Sequence, residues 1–337
     1  MELGTTQGSA AKVRPKVSSV VLPLLAVAAL LIYSPTGGPA PGQLYADTPF
    51  ALILSCRGDV VVHREGSAIK ATFGLQLNER DQIEAGEGAS IEIAFDTGLV
   101  QLLEGPSKIT VRPLKTRQSQ QAQLPDQGIQ VVQNFIKLRE SEGASSVARL
   151  RSGSKAPEIR AESPVHTAVR NGRPTFRWLV TEPLTDLKLT LFDEEGIQWE
   201  ADVTGKTSVC YPADGPELAT GVSYSWSIET ADPLQFPPLR STTAYFEVLP
   251  SDQAKTLDAS LGRLEGQKLA SESSYHLVRA SLFYSYGLLA DAIDETRKAV
   301  SADTNNTHLR SILAHLYAQV GLTHEAIREY DRLLEKR

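Results

Sequence analysis

Two cysteines in 337 residues are too few for a disulfide framework or a four-thiolate zinc site. They lie far apart, at Cys56 and Cys210, and are read as buried free thiols. A basic excess is also missing. Lys and Arg total 34 against 40 Asp and Glu, a net charge of -6 that offers no concentrated positive surface to nucleic acid. Nor does the chain carry a convergent nucleophile, acid and base. Ser67-Ala68-Ile69-Lys70 spells Ser-x-x-Lys, but it sits in a strand pattern with no later Ser-Asp-Asn or Lys-Thr-Gly. Gly205-Lys206-Thr207 spells the end of a phosphate loop whose first glycine is replaced by Glu200. Arg57-Gly58-Asp59 reads as a turn rather than an adhesion tripeptide, and Glu194-Glu195 as a solvated turn. His308 and His315 are seven residues apart, off the spacing of paired metal ligands. The expectation is a protein that is not an enzyme, with no catalytic residue, no metal, no cofactor and no small-molecule substrate.

What is present is ordinary folded material. Hydrophobic residues are 41% and charged residues 22%, and the length allows two or three domains. One long apolar run stands out. Residues 1–16 are polar, with Lys12, Arg14 and Lys16 against Glu2, and residues 17–33 are apolar apart from Ser18, Ser19 and Pro23. Seventeen residues is the short limit for crossing a bilayer core of about 30 Å. The basic flank predicts a cytoplasmic stub (1–16), a transmembrane signal-anchor (17–33) and a Pro/Gly tether (34–49) on the far side. The protein is then single-pass in the cytoplasmic membrane, with its bulk in the periplasm or extracytoplasmic space. Two alternatives stay open: cleavage after Ala46, thirteen residues past the run, and lipidation of Cys56 behind Ile53-Leu54-Ser55. Each exports the same material.

Residues 50–113 follow a period of two. Val60 and Val62 alternate with Val61 and His63. Ala89, Ile91, Ile93 and Phe95 share one face, with Ser90, Glu92 and Ala94 on the other. Asp96-Thr97-Gly98 marks a hairpin into Leu99-Val100-Gln101-Leu102, and Ile109 and Val111 give one more strand. Gly58-Asp59-Val60, Leu77-Asn78-Glu79-Arg80-Asp81-Gln82-Ile83, Asp96-Thr97-Gly98 and Ser107-Lys108-Ile109-Thr110-Val111 together resemble the FecR-type periplasmic domain of bacteria. Arg80 departs from that pattern, standing where the family has the glycine of a tight turn. The resemblance implies a small all-β domain. The family's best-known members regulate a sigma factor through a cytoplasmic N-terminal domain, and a stub of sixteen residues cannot bury a core for that task. The domain is therefore carried over, and FecR-like sensing of an extracytoplasmic partner is kept as the alternative function.

Residues 114–162 read as a linker. Ser119-Gln120-Gln121-Ala122-Gln123 is polar, and 143–156 is rich in Ser, Gly and Arg. Between them, Val131, Val132, Phe135, Ile136 and Leu138 predict one short amphipathic helix over 129–138. Strand patterning returns over 163–250, in Pro174 to Trp178, in Leu187, Leu189 and Leu191, in Tyr224 and Trp226, and in Tyr245, Phe246 and Val248. Pro174-Thr175-Phe176-Arg177-Trp178 and Leu218-Ala219-Thr220-Gly221-Val222-Ser223-Tyr224-Ser225-Trp226 resemble the fibronectin type III/immunoglobulin-like modules of bacterial envelope proteins. Trp178 and Trp226 are expected in the core of a sandwich.

Residues 251–337 are helical in period and repeat at an offset of 34. Ala280 pairs with Ala314, Phe283 with Tyr317, Gly287 with Gly321, Ala292 with Ala326, Ile293 with Ile327 and Glu295 with Glu329. This spacing is similar to that of tetratricopeptide (TPR) repeats. Gly287 and Gly321 are expected to end the first helix of each pair. A preceding helix over 252–269, with Leu257, Leu261 and Leu264 on one face, is expected to cap the first pair. The resemblance implies a protein-binding groove, for which Phe283, Tyr284, Tyr317 and Tyr330 are the candidates. The expected architecture is multidomain: a transmembrane helix, a small all-β FecR-like domain, an Ig/fibronectin-like sandwich and an all-α TPR-like region. Few contacts are expected to cross Pro250. The expected role is a membrane-anchored envelope scaffold whose partners are other envelope proteins.

Overall fold

The computed structural model describes residues 50–112, 122–123, 128–140, 158–182, 184, 186–231, 237–265, 269 and 271–335. The apolar run 17–33, the tether and the Ser/Gly/Arg-rich stretch 143–156 lie outside the described residues. Among the described residues no helix is long and apolar enough to cross a membrane. The rest is multidomain, with β-sheets over 51–248 followed by helices over 251–335.

The first nine strands are β1 (Ala51–Arg57), β2 (Val60–Arg64), β3 (Ser67–Lys70), β4 (Gln76–Leu77), β5 (Gln82–Ala85), β6 (Ser90–Phe95), β7 (Leu99–Glu104), β8 (Ser107–Thr110) and β9 (Ala122–Gln123). They form two antiparallel sheets, ordered β4-β1-β6-β7-β9 and β3-β2-β5-β8. The β6–β7 hairpin closes at Gly98, whose N–H donates to the Phe95 carbonyl at 2.8 Å. Ala51, Ile53, Ile91, Ile93 and Phe95 of the first sheet meet Val60, Val62 and Ile83 of the second in a shared apolar core. The alternation along β6 predicts a polar outer face, and the structure corrects this. Glu92 and Ala94 are fully buried, because helix α1 (Gly128–Lys137) and the C-terminal helices cover that side.

The described parts of the expected linker are structural. Besides α1 and a 3-10 turn (Leu138–Glu140), it supplies β9, which pairs with β7, and most of β10 (Ile159–Ser163). The second β region continues with β11 (Thr167–Val169), β12 (Thr175–Val180), β13 (Leu187–Asp193), β14 (Gly196–Asp202), β15 (Ser208–Cys210), β16 (Ser223–Thr230) and β17 (Ala244–Val248). Its sheets are ordered β10-β12-β15 and β11-β17-β16-β13-β14, with β11 and β17 parallel. Inward residues of both share one core, in which the Phe176 ring lies 5.1 Å from Trp226 and 5.9 Å from Phe246. Trp226 is fully buried and its indole N–H donates to the Pro164 carbonyl at 2.8 Å, which meets the polar end of a core aromatic. The thiols differ from expectation. Cys56 is half-buried, and Cys210 is exposed because it ends β15, which pairs only with β12 and turns that side chain outward beside Thr175.

Five helices complete the chain: α2 (Ser251–Glu265), α3 (Glu272–Ser285), α4 (Leu289–Ala302), α5 (Thr307–Gln319) and α6 (Thr323–Glu335). Gly287 and Gly321 have φ of +72° and +78°, in the left-handed region that ends a helix. Around them the turns match bond for bond. Leu288 N–H donates to Phe283 O and Gly287 N–H to Tyr284 O, and likewise Leu322 to Tyr317 and Gly321 to Ala318. Ala280, Ala292, Ala314 and Ala326 are all fully buried.

The boundary at Pro250 is not sparsely crossed. A single apolar cluster runs from Leu52, Leu54 and Val100, through Val132 and Phe135, to Leu257, Leu277 and Leu316. The second β region also reaches across. The Thr167 hydroxyl accepts from Leu289 N–H at 2.8 Å and Ala290 N–H at 3.3 Å, capping α4 where Leu288 has no side-chain cap to offer. Ala168 N–H donates to the Gly287 carbonyl at 2.9 Å. Arg160 pairs with Glu325 at 3.1 Å in the first turn of α6.

Candidate functional site

The repeat carries a second signature that only three dimensions display. Glu295 on α4 is buried and is held by His276 at 2.6 Å, Lys298 at 2.9 Å and Arg279 at 3.3 Å. Thirty-four residues on, buried Glu329 on α6 is held by Arg310 at 2.6 Å and Arg332 at 2.6 Å. His276 and Arg310 are equivalent positions, as are Lys298 and Arg332. Each pair of helices is thus pinned by one buried carboxylate bridging its two members, with a base from the first helix and one from the next turn of the second. Burial by itself raises the Glu295 carboxyl, but the bonds from His276 and Lys298 and the charge of Arg279 leave it below its ordinary range. The offset of 34 pairs Glu295 with Glu329 in the sequence, and the bases around them come together only in the fold.

The four aromatic candidates are not gathered in an open groove. Phe283 is buried, with the guanidinium groups of Arg170 and Arg279 lying 5.9 and 5.7 Å from its ring centre. Tyr317 is buried in the same cluster. Both fill the spaces between helices, which is where a large residue belongs when its neighbours at the crossings are alanines. Tyr330 is half-buried on α6. Tyr284 alone looks onto the face made by the first helices of the two pairs. It bonds with Gln319 of α5, and burial pushes its phenol up.

That face is occupied by the chain itself. Helix α1 packs on α3, and the 3-10 turn after it packs on α5. The Phe135 ring lies 5.4 Å from that of Tyr284. Ile129, Val132, Phe135 and Ile136 are buried, a set spaced i, i+3, i+6, i+7 that makes one stripe of a helix. Arg139 donates to the Phe73 carbonyl at 2.7 Å, and the Phe73 ring stacks on His308 of α5 at 5.9 Å. Gly74 makes the close approach possible, since a Cβ there would lie 2.7 Å from Ile136 Cγ2. Burial, and secondarily the charge of Arg139, push the His308 imidazole below its ordinary range. On the β side, Ser271, the N-cap of α3, donates to Glu92 at 3.2 Å while accepting from Ser274 N–H. A buried carboxylate of the first sheet therefore sits at the positive end of the helix that α1 covers.

The apolar stripe of α1 was legible, whereas its destination was not, because nothing in a ten-residue stretch says which surface it meets. Phe135, Arg139 and Thr167 were not singled out as docking residues for that reason. Among the described residues no group of three or more His, Cys, Asp or Glu side chains is arranged to hold a metal ion. No protein-family model matches the chain, and no curated protein matches it.

Proposed function

We propose that the protein is a non-enzymatic scaffold of the bacterial cell envelope, tethered to the cytoplasmic membrane by residues 17–33 and binding other envelope proteins. In this reading the first β region is a FecR-type module. The second is a fibronectin type III/immunoglobulin-like module, for which the three- and five-stranded sheets with a parallel β11–β17 edge are the supporting feature. The helices are TPR-like. The observation that carries the reading is the repetition in α3–α4 and α5–α6 of the same buried alanines, glycine turns and carboxylate-centred ion clusters at an offset of 34. Paired helices of that kind stack to present extended surfaces to other proteins.

A photo-activatable cross-linker placed at exposed Leu334 on α6, in chains expressed in intact cells, tests this reading. The expected result is a discrete cross-link to another envelope protein, together with protease accessibility of the 50–335 region from outside the cytoplasmic membrane. Protection of that region in intact spheroplasts would overturn the localisation. Absence of any cross-link from Leu334 and from half-buried Tyr330 would overturn the scaffold.

A further inference from the structure

The turn between α4 and α5 carries chemistry that the helical repeat does not require. It reads Asp303-Thr304-Asn305-Asn306-Thr307, an asparagine with a hydroxyl residue two places on and an acidic residue two places before. We propose that Asn305 is an acceptor for an N-linked oligosaccharide. The inference rests on the envelope reading, because bacterial enzymes that attach such glycans act on the outer side of the cytoplasmic membrane.

Asn-x-Ser/Thr is a weak signal alone, and its structural context decides its weight. The chain has five asparagines. Asn78, Asn134, Asn171 and Asn306 are followed two places on by Arg80, Ile136, Arg173 and His308, so Asn305 alone meets the pattern. Bacterial oligosaccharyl transfer further requires the acidic residue before the acceptor, with no proline between, and Asp303 and Thr304 meet that requirement too. A glycan also needs a place where its bulk meets only water. Thr304 and Asn305 form the exposed tip of the turn, and among the described residues the Asn305 amide makes no hydrogen bond.

The neighbouring residues have work in the fold. Asp303 N–H donates to the Ala299 carbonyl at 3.0 Å, and Asn306 N–H to the Asp303 carbonyl at 3.1 Å. The Asn306 side chain accepts from His308 and Leu309 N–H at 3.1 and 3.2 Å, capping α5. None of these bonds uses the Asn305 side chain. Because that side chain is exposed, a glycan attached before folding does not obstruct the turn.

An amide nitrogen is a poor nucleophile, since its lone pair is delocalised into the carbonyl. The transferase must therefore grip and activate the asparagine, and the Thr307 hydroxyl and Asp303 carboxylate are the handles it would use. The donor is an oligosaccharide joined through pyrophosphate to a polyprenyl carrier. Asn305 Nδ2 attacks the anomeric carbon of the first sugar and gives one proton to a base of the transferase. The carbon–oxygen bond to the pyrophosphate breaks as the carbon–nitrogen bond forms, and polyprenyl pyrophosphate leaves with the electron pair.

Mass measurement of the tryptic peptide 299–310, from the full chain purified out of its native cells, tests the proposal. The expected result is one glycan on Asn305. Asn305→Gln, Asp303→Ala and Thr307→Ala should each lose it. Thr307→Ser should keep it, as should Asn306→Ala, which takes the cap from α5 and leaves the acceptor pattern whole. Asn305→Gln alters only an exposed side chain, so loss of the glycan there is not a loss of fold. A bare peptide from a chain that external protease reaches, or a glycan that persists on Asn305→Gln, overturns the proposal. In a second arm, the purified chain is mixed with a bacterial oligosaccharyltransferase and a polyprenyl-pyrophosphate-linked oligosaccharide. Transfer to the wild-type chain and none to Asn305→Gln supports the acceptor, and no transfer to the wild-type chain overturns it. The envelope reading fails separately. A chain protected from protease in spheroplasts refutes that reading, and transfer in the second arm then decides for or against Asn305.

Discussion

Arg80 adopts φ +75°, a backbone conformation that costs an L-residue about 1–2 kcal/mol relative to the right-handed regions. It holds because the turn around it is over-determined. Arg80 N–H donates to the Val111 carbonyl at 2.9 Å, and the buried Asp81 carboxylate accepts from Asn78 N–H at 2.9 Å and from Arg64 at 2.8 Å. Arg80 stands where the resembling pattern has the glycine of a tight turn, and the chain makes a turn there with the strain on that residue. Arg80→Gly should therefore stabilise the chain, relieving this strain against roughly 0.4–1 kcal/mol of added unfolded-chain entropy. Urea denaturation measures it, and a lower midpoint would mean that the Arg80 side chain contributes more than its backbone costs. A second residue sets a pH dependence. The His308 imidazole is held below its ordinary value of about 6.5 by burial and by Arg139, so above that pH folded and unfolded chains are both neutral there. As pH falls below about 6.5, the unfolded chain takes the proton first and stability is lost downward toward the lower folded value. His315 is depressed by burial in the same direction. Melting curves between pH 7.5 and 5, at about half-unit steps, should show this decline, and His308→Phe should flatten it. An unchanged slope in that variant would assign the decline elsewhere.

At the scale of elements, local signals were sufficient where turn and period agree, as at Asp96-Thr97-Gly98 between β6 and β7 or at the two glycines that end α3 and α5. They failed where a second layer covers a face that alternation leaves polar. Glu92 looks solvent-facing on a strand and is fully buried, because α1 and α3 lie over it. Thr167 was equally invisible, since a cap is normally sought just before the helix it serves. Here it lies 122 residues away from the amide it accepts. This remote cap can be tested by Thr167→Val, which keeps the shape and removes the acceptor. Leu289 N–H also donates to the Gly287 carbonyl at 2.9 Å, so losing the hydroxyl removes one of its two acceptors and should cost about 1 kcal/mol, read from denaturant midpoints. A loss within about 0.5 kcal/mol, the scatter of ordinary surface changes, would show that water or the Gly287 turn satisfies α4 instead.

For the molecule as a whole, composition and the sheet-to-helix change of period near 250 gave the sequence of regions, while the joint between them had to be seen. Few crossing contacts at Pro250 would allow the β regions to stand alone. The continuous cluster from Leu54 through Phe135 to Leu277 predicts otherwise. A chain ending at Pro250 should bind a dye specific for exposed apolar surface and lose the sharp melting transition of the first β region. A truncated chain that melts as sharply and at the same temperature as the full chain would refute this coupling. The same joint bears on how the protein is made. Leu54 leaves the ribosome more than two hundred residues ahead of Leu277, an interval of roughly ten to forty-five seconds at about 5–20 residues per second. Throughout that time the sheet of β1, β6 and β7 has α1 at most for cover on its outer face, because the part that the C-terminal helices supply is not yet made. The safe passage of that sheet depends on the final third of the chain arriving.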